Sequence, residues 1–216
     1  MLLSLATSML NSACMVVGVR TVEQTDYKVL HAEDEMELRL YEPYLVARTH
    51  VEGGLKQASN EGFRRLAGYI FGKNGGQRSI AMTAPVTTTR SEGEKIAMTA
   101  PVVQEKQGGR WLMEFMMPRS YKREALPEPL DRRVSIVEVP GRLVAAGRFS
   151  GAASAEDFDA RTARLGEWIA GQGLKQRSTP RFARYDPPFT VPFLRRNEVH
   201  ITVDGEILAS GDPAAL

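Results

Sequence analysis

Several things are scarce in this sequence, and each scarcity excludes something. A single cysteine, Cys14, among 216 residues rules out an internal disulfide and a zinc site built from several thiolates. The three histidines, His31, His50 and His200, stand far apart, without HExxH or HxH spacing. A histidine metal centre would therefore need long-range convergence. Charge of one sign is never concentrated. The chain has 28 basic and 26 acidic residues, a net charge of +2, and no five-residue run of like charge. That balance gives no electrostatic footprint for nucleic acid. The densest basic groups are the pairs Arg64–Arg65, Arg132–Arg133 and Arg195–Arg196. No apolar run reaches the about 20 residues of a membrane-spanning helix. GxSxG and related nucleophile signatures are missing. What is present is a 43% apolar composition, ordinary for a chain that buries a core.

The first nineteen positions also lack charged side chains, up to Arg20. Leu2, Leu3, Leu5, Ala6, Met9 and Leu10 have the character of a signal-peptide apolar region. Ser12-Ala13-Cys14 resembles a bacterial lipobox, although Asn11 stands where an apolar residue is usual and a basic start is missing. The expectation is a signal or lipoprotein-like segment over 1–20, with lipidation at Cys14 and a place in the cell envelope. A packed N-terminal segment with an inert thiol, in a cytoplasmic protein, is the alternative.

Beyond it, period-two alternation marks strands. Met36, Leu38 and Leu40 alternate with Glu37, Arg39 and Tyr41, and Leu45, Ala47, Thr49 and Val51 share a face opposite Val46, Arg48 and His50. The alternation turns His50 to solvent. It turns His200, between Val199 and Ile201, away from the core. Leu55, Ala58, Gly62, Leu66 and Tyr69, widened by Phe63, Ala67 and Ile70, fall at helical spacing up to about Phe71. A second helix should begin at Ser154, a good N-cap, and bury Phe158, Leu165 and Ile169. The heptamer IAMTAPV occurs twice, at Ile80–Val86 and Ile96–Val102, and predicts a hairpin of two strands around the turn Arg90–Glu94. A weaker duplication pairs EPYLVA (Glu42–Ala47) with PGRLVA (Pro140–Ala145), and RLAGYI (Arg65–Ile70) with RLGEWI (Arg164–Ile169). Two similar halves within 21–205, followed by a flexible tail over 206–216, predict one α+β domain: a pseudo-twofold, distorted antiparallel β-barrel or sheet with two flanking helices.

The stretches YEPYLVART (Tyr41–Thr49), GFRRLAGYIFGKN (Gly62–Asn74), both IAMTAPV copies and YDPPFTVPFLRRNEV (Tyr185–Val199) resemble the SOUL haem-binding family. The resemblance implies that fold and the binding of haem or another tetrapyrrole by some members. The expectation for this chain is a non-enzymatic, monomeric carrier or buffer that binds weakly, without a strong protein ligand to the iron. Its ligand would lie in an apolar cleft beside the first helix and the C-terminal loop. The cofactor-binding candidates are then Phe63, Leu66 and Ile70 for the ring, Arg64 and Arg65 for the propionates, and Phe189, Phe193 and Arg195 from the loop. Phe63, Leu66 and Ile70 form first of all the stripe any core-facing helix needs, the loop also suits a rigid connection, and Arg196 or its neighbour could pair with Glu198. The methionines Met82, Met98, Met113, Met116 and Met117 read as core fillers. Two other functions stay open: a small-molecule enzyme using Glu114 or Glu167 as base, and a ligand-free envelope interaction protein.

Overall fold

The computed structural model describes residues 23–91, 110–186 and 189–205. Cys14, the second IAMTAPV copy, Pro187–Pro188 and the 206–216 tail lie outside the described residues, and with them the lipidation site and the expected hairpin.

Ten strands among the described residues form one sheet: β1 (Tyr27–Glu33), β2 (Met36–Tyr41), β3 (Tyr44–Glu52), β4 (Val86–Ser91), β5 (Arg110–Met116), β6 (Val134–Val139), β7 (Arg142–Phe149), β8 (Lys175–Gln176), β9 (Arg181–Arg184) and β10 (Asn197–Asp204). Their order is β1-β2-β7-β10-β9-β4-β5-β3-β6, with β8 beside β10. Every pairing between named strands is antiparallel. Among the described residues two α-helices, α1 (Leu55–Ile70) and α2 (Ala155–Gly171), complete the α+β fold.

With β1 set aside, the order divides into β2-β7-β10-β9 and β4-β5-β3-β6. β2 does not pair with β3, its successor, but with β7, and β6 pairs with β3. Each half of the chain thus lends its first strand to the other. The crossing is tight. A Cβ at Gly141 would stand 3.0 Å from the Tyr41 carbonyl oxygen, so a side chain there would push the two segments apart.

The outer face of the sheet carries the helices and most of the apolar core. α1 packs on β3, β5 and β6, with Leu66, Tyr69 and Ile70 against Met113, Phe115 and Ile136. Gly62 lets it approach β5, since a Cβ there would meet Met113 Sδ at 3.0 Å. α2 starts at the expected Ser154, whose hydroxyl accepts from the Asp157 amide while the Asp157 carboxylate accepts from the Ser154 amide. This reciprocal cap satisfies donors the helix itself cannot. Phe158, Leu165 and Ile169 then pack on Leu38, Val199 and Ile201.

The first IAMTAPV copy departs from expectation. Ile80 to Pro85 is not a strand, and β4 begins at Val86. The Ile80 amide donates to the Ile70 carbonyl at 2.7 Å, and the Thr83 hydroxyl donates to the Met116 carbonyl. These donors close the end of α1 and anchor the segment, so the heptamer serves as a lead-in rather than a ladder.

The inner face is enclosed by curvature. The Arg142 guanidinium, on β7, donates to the Tyr44 phenol, on β3, although four strands separate them in the sheet order. The sheet is therefore curled into an open half-barrel whose flanks meet.

Candidate functional site

The expected site residues occupy three different settings. Leu66 and Ile70 are fully buried in the core beneath α1. Phe63 is half exposed and meets Phe115 edge-on, with ring centroids 5.3 Å apart. Arg64 points outward and pairs with Glu61. Arg65 is better held: it donates to Glu61 at 2.8 Å and to the His50 carbonyl at 2.9 Å. In the C-terminal loop Phe189 and Phe193 are exposed, and the Arg195 Nε donates to the Thr190 carbonyl at 2.7 Å. The loop is fixed to the α2 side: the Gly151 amide donates to the Pro192 carbonyl, and Asn197 donates to the Gly151 carbonyl.

An open cleft of about 1270 Å³ runs along the N-terminal half of α1 and the end of β3. Arg64, Arg65, Arg110, Arg133 and Lys56 line it against the carboxylates Glu52 and Glu61. A smaller hollow of about 230 Å³ continues past Arg64, Arg65 and Arg133 toward Lys73 and Asp131. Arg133 grips Asp131 at 2.7 and 2.9 Å, and its hydrogen bonds hold that carboxyl down at about 2. The cleft also contains His50, exposed as the alternation predicts. Partial burial, with Arg110 and Arg48 nearby, lowers its pKa. The imidazole is therefore neutral at physiological pH, the form that ligates a metal.

The inner face holds a second arrangement. Glu198, fully buried on β10, is the centre. Arg39 reaches it through two hydrogen bonds, 2.7 and 3.0 Å, and Arg196 through Nε at 2.8 Å. The Tyr185 hydroxyl donates at 2.8 Å, and His200 Nε2 lies at 2.6 Å. Each guanidinium also covers a ring: Arg39 over Tyr27 at 4.3 Å, Arg196 over Tyr185 at 4.1 Å. Burial alone would raise the Glu198 pKa, but the bonds from His200 and Arg39 outweigh it and hold the carboxyl well below its usual range. An ionised carboxylate only accepts, so His200 donates from Nε2. His200 is buried, not turned to solvent. Alternation places it opposite Val199 and Ile201 as expected, but the curl buries that face too.

Next along the inner face, Glu114 on β5 accepts from Arg48 and from Arg181, at 2.5 and 2.8 Å. As a candidate base it is occupied by two cations. Glu167, the other candidate, is exposed on α2.

With both sites in view, the comparisons can be weighed. The SOUL family, described as "SOUL heme-binding protein", matches residues 22–94 and 88–202. The chain belongs to the SOUL haem-binding family. Among curated proteins none matches it. Solved structures share the fold at low identity. The C-terminal domain of EcmrR is 12% identical, with a TM-score of 0.55 over 82% of this chain and 98% of that one. A hydrolase from Listeria innocua is 10% identical, with a TM-score of 0.54 over 81% and 94%.

A SOUL ligand such as haem needs cations for two propionates, room for a flat macrocycle, and optionally an axial donor. The α1 cleft offers four arginines, ample volume and His50. Its apolar surface is modest: Val51, Leu55 and the alkyl stems of Lys56 and Arg64. The residues fit the anionic edge of a tetrapyrrole better than they fit its ring. Neither Arg110 nor Arg133 was singled out as a site residue by the sequence, because β5 and β6 bring them in from far along the chain. Arg133 stood out only as half of a basic pair, and Arg110 only as a basic residue at a strand end.

The inner cluster should make this chain acid-sensitive. Burial lowers the His200 pKa below 6.5 despite Glu198, so below about pH 6.5 the unfolded chain binds a proton that the folded one refuses. Stability then falls with pH. Glu198 acts in the same direction lower down: its folded pKa lies well below 4.5, so its contribution is complete above that value and disappears as pH falls through the folded pKa. Urea midpoints should drop between about pH 8 and about pH 5.5, and His200→Gln should flatten that upper arm. An unchanged slope in the variant would refute the assignment to His200.

Proposed function

We propose that this SOUL protein binds haem or another anionic tetrapyrrole in the cleft along α1, as a carrier or buffer rather than an enzyme. The observation that carries the reading is the convergence of Arg64, Arg65, Arg110 and Arg133 around neutral His50 in a cleft of macrocycle size. The arginines would hold the propionates, and neutral His50 would offer a nitrogen to the iron. An open, cationic site with little apolar wall gives modest affinity and ready release, which suits carrying. Against an enzyme stands the state of the two inner carboxylates: Glu198 and Glu114 are each saturated by cations, so neither is a free base. Lipidation at Cys14 would put the carrier on the cell envelope.

Haem titration tests this. The expected result is a saturable Soret shift, weakened roughly tenfold by Arg64→Glu with Arg133→Glu, the size of one or two lost charge-assisted bonds. His50→Ala should alter the Soret position, whereas iron-free protoporphyrin should bind regardless of His50. A linear, non-saturable response, or variants indistinguishable from the parent, would sink the proposal. Mass spectrometry of the N-terminus in the same preparation reads whether Cys14 is acylated.

A further inference from the structure

The inner face holds more positive charge than it neutralises, and only at one end. Around Glu198 the charges balance: Arg39 and Arg196 face Glu198, and Arg39 also donates to Glu37 at 2.7 Å. Around Glu114 they do not. Three guanidinium groups, Arg48, Arg181 and Arg142, gather there, and among the described residues Glu114 is the one carboxylate that pairs with any of them. Among the described residues Arg142 reaches only a neutral phenol, that of Tyr44. The Nε atoms of Arg142 and Arg48 are buried and have no hydrogen-bond partner among the described residues. Arginine cannot shed the excess by losing a proton. The three cations are only partly exposed and Glu114 offsets a single charge among them, so a counterion beside the unpaired Arg142 would relieve a costly surplus.

There is a place for one. Arg142 and Arg181 line a small cavity with Tyr44, Thr87, His200 and Thr202. Its space, about 10 Å³ as seen by the centre of a water-sized sphere, accommodates one small particle. The Tyr44 oxygen accepts from Arg142, which leaves its own proton to be donated. Burial raises the Tyr44 pKa, so that proton is present at physiological pH. Burial is the main cause of a depressed Arg181 pKa; Glu114 opposes it, and Arg142 and Arg48 add to the depression.

We infer that this cavity is a binding site for a small monovalent anion of chloride size, held between Arg142 and Arg181 inside the half-barrel. A polyatomic anion such as sulfate is too large, and the site is separate from the α1 cleft, since the two share no lining residue. The anion closes the charge balance of the inner face and ties β7 to β9.

The test uses the full chain. At constant ionic strength, replacing gluconate by chloride or bromide should raise the melting temperature saturably, and sulfate should not reproduce the effect. Crystals grown in bromide should show an anomalous peak between Arg142 and Arg181. Arg142→Gln should abolish the halide dependence while leaving a folded protein. Should that variant fail to fold, the bromide peak and the halide series on the parent decide alone. A melting temperature indifferent to halide overturns the inference. So does a bromide peak without halide dependence, which would mark an adventitious ion only.

Discussion

Replacing Glu198 with glutamine should cost about 3–5 kcal/mol of folding stability, the usual penalty for removing one partner from a buried ion pair. For a chain of this size that corresponds to a fall of roughly 10 °C in melting temperature. The reason is what stays behind. Arg39 is 1% exposed, and its two bonds to Glu198 would become weaker bonds to a neutral amide. Arg196 would keep only Tyr27 and Gln24, at 3.2 and 3.4 Å. His200 and the Tyr185 hydroxyl would lose a charged acceptor. The loss therefore measures stranded cations more than a broken bond. A double variant, Arg39→Met with Glu198→Leu, separates the two, because removing both charges also removes most of the stranding. It should recover at least half of the loss in urea denaturation. An exposed pair supplies the contrast: Arg177 and Asp204 are both more than half exposed, and Asp204→Asn should change stability by less than about 1 kcal/mol. A Glu198→Gln penalty as small as that would mean that water reaches the inner face.

The same residues show what the sequence discloses and what it withholds. Alternation in Met36–Tyr41 and around Val199–Ile201 locates strands and sorts their two faces correctly. It says nothing of what covers each face. Polar residues opposite an apolar face normally meet water, and only the curl that brings Tyr44 to Arg142 buries them instead. Glu198 appeared in the sequence as one possible partner for a neighbouring arginine. Its bond to Arg39 spans most of the chain and rests on β2 and β10 both flanking β7. The exchange of first strands between halves is equally invisible, since a short break such as Glu42-Pro43 suggests a hairpin. The helices were easier: the Ser154 cap and the Phe158, Leu165, Ile169 spacing are local. In the α1 cleft Arg64 and Arg65 were legible as a pair on a helix. Arg110, Arg133 and His50 join them only through tertiary packing.

Phe158→Ala should be comparably damaging, about 3–5 kcal/mol, through the cavity it opens. Phe158 is fully buried on the first turns of α2. Its ring stacks on Phe182 with centroids 4.1 Å apart and meets Phe149 edge-on at 5.3 Å. It therefore joins α2 to both β7 and β9, and its removal loosens two strands at once. A further cost comes from Arg184, whose guanidinium lies 4.9 Å from the ring centre. Burial already lowers the Arg184 pKa, so the ring face is part of what makes the cation tolerable there. Phe158→Leu keeps most of the volume but not the π face. It should cost roughly 1–2 kcal/mol, set by imperfect packing and the lost ring. Pairing each substitution with Arg184→Met resolves the two contributions: the coupling to Arg184 should be about 0.5–2 kcal/mol, and the same for alanine and leucine. If Phe158→Ala and Phe158→Leu destabilise equally, packing volume is not what Phe158 provides, and the cavity argument fails.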